Sequence, residues 1–189
     1  MVAARHQLHQ AFGTLADSPA GLERTVTGPL TEGLNGLLGS FYTLYHQYQK
    51  HHWVVEGAEF SPLHRLFKDY AVQVRGDAEA AGERIDDLGG VPAATPVRLQ
   101  QLACFQPEVE DVFDCRTMLA NDLAVEQACV QLLRRQIAAA GSLGDPATEF
   151  FLRRVLLGSE QRAFHLAHYL ADDSLALALP PDGAPQERL

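Results

Sequence analysis

The sequence predicts an all-α protein built as a four-helix bundle. Apolar and aromatic residues recur every three or four positions through most of the chain, which is the period of a helix packed on one face. Prolines and glycines divide this pattern into segments of helical length, and no segment alternates as a strand would. With 189 residues, of which 47% are hydrophobic, the chain can form one domain with an ordinary core. We assign residues 25–172 to the bundle, 1–24 to an N-terminal tail and 173–189 to a flexible C-terminal tail.

The first two helices are predicted to form a hairpin. The apolar face of the first helix continues to His52, and the helix is expected to end near Gly57. Ser61-Pro62 predicts an N-cap followed by a proline in the first position of the second helix. That helix is expected to end at Gly89-Gly90, because glycine readily adopts the conformation that ends a helix.

A long connection separates this hairpin from a second one. Residues 96–104 are expected to form a short helix, and a long third helix is predicted over residues 108–140, ending at Gly141. Asp145-Pro146 predicts the start of a fourth helix that runs to about Ala171. Two hairpins joined by a long crossover with a short extra helix are typical of a ferritin-like four-helix bundle.

Composition narrows the classes of function. The 24 acidic residues outnumber the 15 lysines and arginines, and this net charge of -9 repels nucleic-acid phosphate and attracts cations. No apolar run is as long as a membrane span and the N-terminus lacks the apolar block of a signal peptide, so a cytoplasmic protein is expected. The three cysteines lack C-x-x-C spacing and are interpreted as small buried hydrophobic residues: Cys104, Cys115 and Cys129.

A histidine pair and an acidic pair are the strongest candidates for chemistry. His52 and His64 lie on either side of the first turn, so their imidazoles are expected at one end of the hairpin. Glu79 and Glu83 are four residues apart and share one helix face. Imidazole and carboxylate together suit a redox-active metal such as iron. The alternatives are a hydrogen-bonded core histidine and a solvated acidic face.

The separation of the two pairs predicts how a site would be built. Glu79 and Glu83 lie more than about 20 Å from His64 along a helix. One subunit cannot easily close such a site, whereas two antiparallel copies could bring the histidines of one to the carboxylates of the other. No glutamate is followed three residues later by histidine, which disfavours a di-iron centre of the Glu-x-x-His type inside the bundle.

In these motifs the sequence resembles the Dps family, the mini-ferritins of starved or oxidatively stressed bacteria and archaea. The resemblance covers about residues 28–172 and is closest to the branch found in cyanobacteria and haloarchaea. It rests on the segments His51–Phe60, Leu63–Phe67, Glu83–Gly90, Asn121–Asp122, Leu143–Asp145 and Arg162–His168.

The resemblance implies a hollow homododecamer that oxidises Fe(II) with hydrogen peroxide or oxygen and stores ferric mineral inside. The ferroxidase centres would lie at two-fold interfaces. By position, His52 and His64 would be ligands from one subunit and Glu83 a ligand from its partner. Glu79 stands where the family usually has Asp, and Trp53 would be an aromatic residue beside the site.

A second metal position is altered in this chain. Lys68 occupies a place that often holds an aspartate ligand, and an ammonium group weakens cation binding nearby. His165 and His168, three residues apart on the last helix, are candidates to replace it, with interface or surface packing as the alternative. His46 and His51 are given less weight as ligands.

Other acidic residues are assigned to a pore and to ion pairs. The resemblance implies that iron passes through acidic pores lined from the start of the fourth helix, where Asp145 and Glu149 are present but Phe150 stands in place of a usual Asp. Asp122 and Glu126 form an i, i+4 pair on the third long helix. We interpret them as members of surface or intersubunit ion pairs, with metal binding as the alternative.

Two other functions stay open. One is a DNA-compacting stress protein, although family members that bind DNA directly usually use lysine-rich tails and this chain offers none, so direct DNA binding is not expected. The other is a cage that holds zinc at the same residues with little turnover.

Overall fold

The computed structural model describes residues 7–171, and every regular element in that range is a helix. The all-α prediction is therefore confirmed. The five helices are α1 (Arg24–Val54), α2 (Phe60–Asp87), α3 (Pro96–Leu102), α4 (Cys115–Leu143) and α5 (Pro146–Tyr169).

The four long helices form two hairpins, as a ferritin-like bundle requires. α1 packs along α2, and α4 packs along α5. The short helix α3 lies against α1, within the crossover between the hairpins, and α1 also contacts α4. The core is apolar and includes the fully buried Leu37, Phe41, Leu44, Phe67, Val74, Ile85 and Leu133.

Two helix starts differ from the sequence prediction. α2 begins at Phe60, so Pro62 is the third residue of the helix and Glu59, not Ser61, is in the N-cap position. Proline is tolerated there because the first N–H groups of a helix have no partner inside it. α4 begins at Cys115, because Asp114 accepts a hydrogen bond from the Thr117 amide and caps the helix.

The end of α2 and the start of α5 agree with the sequence prediction, whereas the end of α4 lies three residues later than predicted. α2 ends just before Gly89, as expected, and α5 begins after the Asp145 cap, whose carboxylate accepts hydrogen bonds from the Ala147 and Thr148 amides. α4 runs past Gly141 and ends at Gly144, which has a φ of 76°. A left-handed residue of this kind ends a helix at little cost when it is glycine.

Part of the predicted N-terminal tail is packed on the bundle. The amide of Ala16 donates to the Gly89 carbonyl at 2.8 Å, and the Gln10 side chain donates to the same carbonyl at 2.9 Å. These bonds hold Gln10 and Ala16 against the end of α2, and the assignment of residues 1–24 to a tail stays a prediction. The predicted C-terminal tail lies outside the described residues. No helix among residues 7–171 is both long and apolar enough to cross a membrane.

Candidate metal centre

His52 and His64 face each other at the turn end of the α1–α2 hairpin, beside the loop that joins the two helices. Their ring centroids are 3.9 Å apart. The Nδ1 atom of His52 lies 2.8 Å from the backbone oxygen of His64, and the Nδ1 atom of His64 lies 2.8 Å from the backbone oxygen of His52. A carbonyl oxygen only accepts hydrogen bonds, so both Nδ1 atoms must carry a hydrogen. In the neutral rings, each Nε2 therefore keeps its lone pair.

The surroundings of the histidine pair are apolar and open. Trp53 follows His52 on α1 and is 72% exposed, and Phe60, at the start of α2, is 46% exposed. The Phe60 ring centroid lies 4.8 Å from that of His64. Two exposed aromatic side chains beside a polar pair mark a surface that another chain could cover.

The acidic pair lies elsewhere on the same chain. Glu79 and Glu83 are exposed on α2 and line a depression together with His46 of α1 and residues of the crossover. Within residues 7–171, no group of three or more histidine, cysteine or acidic residues is close enough to hold a metal ion. Within one chain, the predicted histidine ligands and the predicted carboxylate ligands therefore lie apart from each other.

His165 and His168 line another depression, with Phe164, Tyr169 and Leu66. The Tyr70 hydroxyl lies 3.0 Å from Nδ1 of His165. His168 Nδ1 donates to the Phe164 backbone oxygen at 2.9 Å. Both imidazoles are exposed, and their assignment as ligands stays a prediction.

Asp145 has a structural role within the chain, and its assignment to a pore stays a prediction. It is 2% exposed, it caps α5, and its carboxylate accepts hydrogen bonds from Arg84, at 3.0 Å to Oδ2. The Thr148 hydroxyl and the Arg84 guanidinium hold the pKa of this carboxyl below its usual value, although burial raises it. Glu149 is half-buried and pairs with Arg153 at 2.6 Å.

His51, to which the sequence gives less weight as a ligand, is a buried histidine with carboxylate partners. His51 is 0% exposed, its Nδ1 lies 2.9 Å from Asp122 and its Nε2 lies 2.8 Å from Glu108. Burial alone would lower the pKa of His51, but the two carboxylates outweigh burial and raise it. Lys50 also binds Glu108, at 2.7 Å, so this cluster neutralises itself inside the chain.

Asp122 and Glu126 are both 0% exposed, so their interpretation as surface or intersubunit groups is wrong. Glu126 accepts hydrogen bonds from Arg162 at 2.5 Å and from the Tyr48 hydroxyl at 2.8 Å. Arg162 also reaches Asp77 at 3.4 Å. The spacing could have shown this, because Asp122 and Glu126 continue the same inward face of α4 as the buried Cys129 and Leu133.

The interior of the bundle therefore contains its own cations. Arg162 and His51 sit where the carboxylates converge, so those carboxylates already have partners. The expectation that no di-iron centre of the Glu-x-x-His type lies inside the bundle stays a prediction. The cysteine interpretation is partly wrong, because Cys129 is buried but Cys104 is exposed and Cys115 only half-buried.

Comparison with known proteins places the chain in a family. The ferritin-like domain profile matches residues 31–176. The chain is 52% identical over 170 residues to a nutrient stress-induced DNA-binding protein of Nostoc sp., which covers 90% of this chain and 92% of that protein. It is 45% identical over 144 residues to the DNA protection during starvation protein of Halobacterium salinarum, covering 76% and 79%.

A solved structure agrees with the sequence relatives. An archaeal Dps homologue from Halobacterium salinarum superposes with a TM-score of 0.87 at 40% identity, covering 90% of this chain and 96% of that one. The chain therefore belongs to the ferritin-like family and, within it, to the Dps proteins of the cyanobacterial and haloarchaeal branch.

Proposed function

We propose that this iron-storing mini-ferritin oxidises Fe(II), preferably with hydrogen peroxide, at a centre shared by two subunits of a dodecameric cage. The observation that carries the proposal is the reciprocal bonding of His52 and His64. Each backbone carbonyl fixes the partner ring with its hydrogen on Nδ1. Two Nε2 lone pairs are thus prepared for a metal ion before it arrives, and such outer contacts are what orients a metal-binding histidine.

The other half of the site comes from the acidic pair. Glu79 and Glu83 offer hard carboxylate oxygens, which suit the Fe(III) that oxidation produces. They lie roughly 20–30 Å beyond His64 along α2, so the carboxylates must come from a second chain. A two-fold axis would place the same surface patch on both sides and build two equal sites. The exposed Trp53 and Phe60 support a contact at this end of the hairpin.

Reduction of one hydrogen peroxide to two waters requires two electrons. Two Fe(II) ions give one electron each to hydrogen peroxide, the O–O bond breaks, and two protons are taken up to form two waters. No hydroxyl radical is released when both electrons arrive at one site. The second ion would bind less tightly, because Lys68 brings an ammonium group near it.

Histidines near each half could assist the second ion. His165 and His168 lie beside Leu66, two residues beyond His64, and so belong to the histidine end. His46 shares the depression of Glu79 and Glu83 and would be supplied by the chain that provides the carboxylates. These three residues are the ones to test once the main ligands are established.

Mixed cages test whether the site is shared. His52→Ala and Glu83→Ala variants should each assemble but lose fast Fe(II) oxidation by peroxide, because each lacks one half of every site. When the two variants are dissociated, mixed and reassembled, half of the two-fold interfaces should join unlike subunits. Each such interface holds one intact site, so about a quarter of the wild-type rate should return.

The control is the same mixture without dissociation, which should stay inactive. Mass spectrometry should show that both variants are present in the same reassembled cages. If such mixed cages do not recover Fe(II) oxidation, the site lies inside one chain. Zinc retained at the histidine pair with no oxidation of Fe(II) by the wild type would favour the zinc-holding cage instead. Light scattering should give a mass near twelve chains, and an active monomer would refute the shared site.

Direct DNA binding is the second candidate, because the Nostoc relative at 52% identity is named a DNA-binding protein. The charge of this chain argues against it, with 15 basic against 24 acidic residues. Repulsion from phosphate should dominate at physiological salt. We expect no gel shift of duplex DNA at pH 7.5 in a chelator-treated sample. Tight binding under these conditions would promote the DNA-compacting function, whereas binding only with added divalent cations would indicate bridging.

A further inference from the structure

One face of α2 carries six exposed charged side chains. Together with Val72 they recur every three or four positions, which places them on one side of the helix. Three are cations and three are anions: Arg65, Lys68, Asp69, Arg75, Glu79 and Glu83. Within residues 7–171, none of these six side chains takes part in an ion pair. The charges of this α2 face are therefore available to a second chain.

An exposed hydrophobic residue lies at the middle of the α2 face. Val72 is 57% exposed, and within α2 only Phe60, at the helix start, is another exposed large hydrophobic residue. Gly76 follows about one turn later, and nothing lies within 4 Å of the place that a Cβ atom would take there. An apolar centre inside a charged rim, with open space beside it, is the usual composition of a contact between proteins.

We propose that the α2 helices of two copies of this chain pack antiparallel on each other, with a two-fold axis at Val72. The proposal rests on the shared metal centre proposed above, and it adds the face and the register through which the chains meet. His64 must face Glu79 and Glu83 of the partner subunit, and the midpoint between these positions falls at residues 72 and 73. Moving the axis by one helical turn would displace His64 from these carboxylates by about 11 Å.

The charges of the α2 face agree with this register. The half before Val72 has two cations and one anion, and the half after it has one cation and two anions. Antiparallel packing sets each half against the other. Asp69 then lies at the height of the partner's Arg75, and Lys68 lies within one turn of the partner's Glu79. Opposite charges thus meet across the contact, which is how charged groups select a partner and fix a register.

The first test uses the wild-type protein, assembled and treated with a chelator. Lys50 and Lys68 are the lysines of the chain, and Lys50 is already paired with Glu108. A carbodiimide joins an amine directly to a carboxylate in contact with it, so it should couple Lys68 to Glu79 of the partner subunit and give covalent dimers. Within one chain these two residues are about 16 Å apart along α2, too far for direct coupling. Peptide maps that join Lys68 only to carboxylates of other helices would overturn the proposal.

Cysteine variants locate the axis. In a Cys104→Ser/Cys115→Ser background, Val72→Cys should form a disulfide between two chains on oxidation with diamide, because residues on a two-fold axis face their own copies. Lys68→Cys and Gly76→Cys are the matched controls. Each lies four residues from the axis, so its two copies are about 12 Å apart and should stay reduced. A dimer from either control but not from Val72→Cys would overturn the register, and dimers from none of the three would overturn the contact.

A charge exchange tests the pairing by a second route, without cysteines. Arg75→Glu should lower the urea concentration that dissociates the assembled protein, because it sets like charges against the partner's Asp69. Asp69→Arg/Arg75→Glu should raise that concentration again, since the opposite charges are restored in exchanged positions. A double variant that dissociates as easily as Arg75→Glu would overturn the pairing.

The oxidation assay separates this interface from the proposed function. If Val72→Cys forms the covalent dimer but the wild type does not oxidise Fe(II), the interface is supported and the proposed function fails. If mixed cages of His52→Ala and Glu83→Ala regain oxidation but Val72→Cys forms no dimer, the shared centre is supported and this interface is overturned.

Discussion

His51 and His52 are neighbours on α1, yet they occupy opposite environments. His51 is 0% exposed, and each of its ring nitrogens faces a carboxylate. His52 is half-buried at the surface, and its Nδ1 faces the backbone oxygen of His64. Within residues 7–171, no hydrogen bond reaches the Nε2 atom of His52. Consecutive helical residues point about 100° apart, and that rotation alone separates the two sites.

The comparison shows how hydrogen-bond acceptors determine whether an imidazole keeps a nitrogen lone pair for a metal. Two carboxylates occupy both nitrogens of His51 and favour its charged form, which has no lone pair for a metal. The His64 carbonyl oxygen fixes the hydrogen of His52 on Nδ1, so in the neutral ring the lone pair lies on Nε2. Buried ion pairs therefore lie within the apolar core, whereas the turn end of the α1–α2 hairpin offers ring nitrogens to a ligand.

Replacing Arg162, whose guanidinium pairs with buried Glu126, is expected to cause the largest loss in the free energy of unfolding. Its replacement in Arg162→Met leaves the Glu126 carboxylate buried without its cation. We expect a loss of about 3–5 kcal/mol in the free energy of unfolding, the usual cost of breaking a buried pair. Thermal and denaturant unfolding of the assembled protein would measure it.

A matched control is Arg134→Met, which breaks the exposed pair with Glu160. Its effect should be about 1 kcal/mol or less, because solvent screens surface pairs. The double variant Arg162→Met/Glu126→Gln should recover part of the loss, since it no longer buries a lone charge. Equal losses in Arg162→Met and Arg134→Met would mean that the interior charges do not hold the bundle together.

Replacing each of the two neighbouring histidines in turn separates their roles. His52→Gln should lower the rate of Fe(II) oxidation by about 10- to 100-fold or more, a loss seen even for residues that only support a ligand. Its melting temperature should change little. His51→Gln should lower the melting temperature, because Asp122 and Glu108 lose their shared partner. A slower oxidation in His51→Gln and a lower melting temperature in His52→Gln would reverse the two roles.

The sequence predicted the fold well because its helical period and its breakers agree. The Asp145-Pro146 start and the glycines after α2 were correct because a local rule determines each of them. The start of α4 was missed because Glu108 lies in a non-helical segment that folds back to bind His51, a contact 57 positions away in the chain. No local pattern encodes such a contact.

The candidate site was predicted only in part. Spacing indicated that His52 and His64 would meet and that Glu79 would lie far from them, and the geometry agrees. The reciprocal carbonyl contacts could not be read from the sequence, because they depend on the angle between the two helices. The interpretation of Asp122 and Glu126 as surface or intersubunit ion pairs was wrong because the partner of Glu126 is Arg162, 36 positions away on another helix of the same chain.

Asp145 is a buried carboxylate that caps the start of α5. Asp145→Asn keeps a capping side chain but removes the charge facing Arg84, and we expect a loss of about 1–2 kcal/mol at pH 7. The pKa of Asp145 is lowered in the fold, so its contribution is complete above the unfolded value of about 3.9 and is lost as pH falls through the folded value. Wild type and variant should therefore converge below about pH 4.

Asp114→Asn is the control, because Asp114 caps α4 from an exposed position and has no arginine among its partners in the described residues. Its effect on the melting temperature at pH 7 should be smaller than that of Asp145→Asn. A difference between wild type and Asp145→Asn that persists unchanged to pH 3 would show that the carboxylate charge is not what stabilises the helix start.

The smallest expected effect is a change in fluorescence, and it reports on the turn end of the α1–α2 hairpin. Trp53 is the single tryptophan of the chain, it is 72% exposed, and it follows His52 directly. In the assembled cage a neighbouring subunit should cover it, so its emission should lie at shorter wavelength than in dissociated subunits. Cobalt(II) bound at the histidine pair should quench that emission, and His52→Gln should remove the quenching, whereas His168→Gln should leave it intact. Emission that is unchanged by assembly and insensitive to cobalt would place both the interface and the metal away from this end of the hairpin.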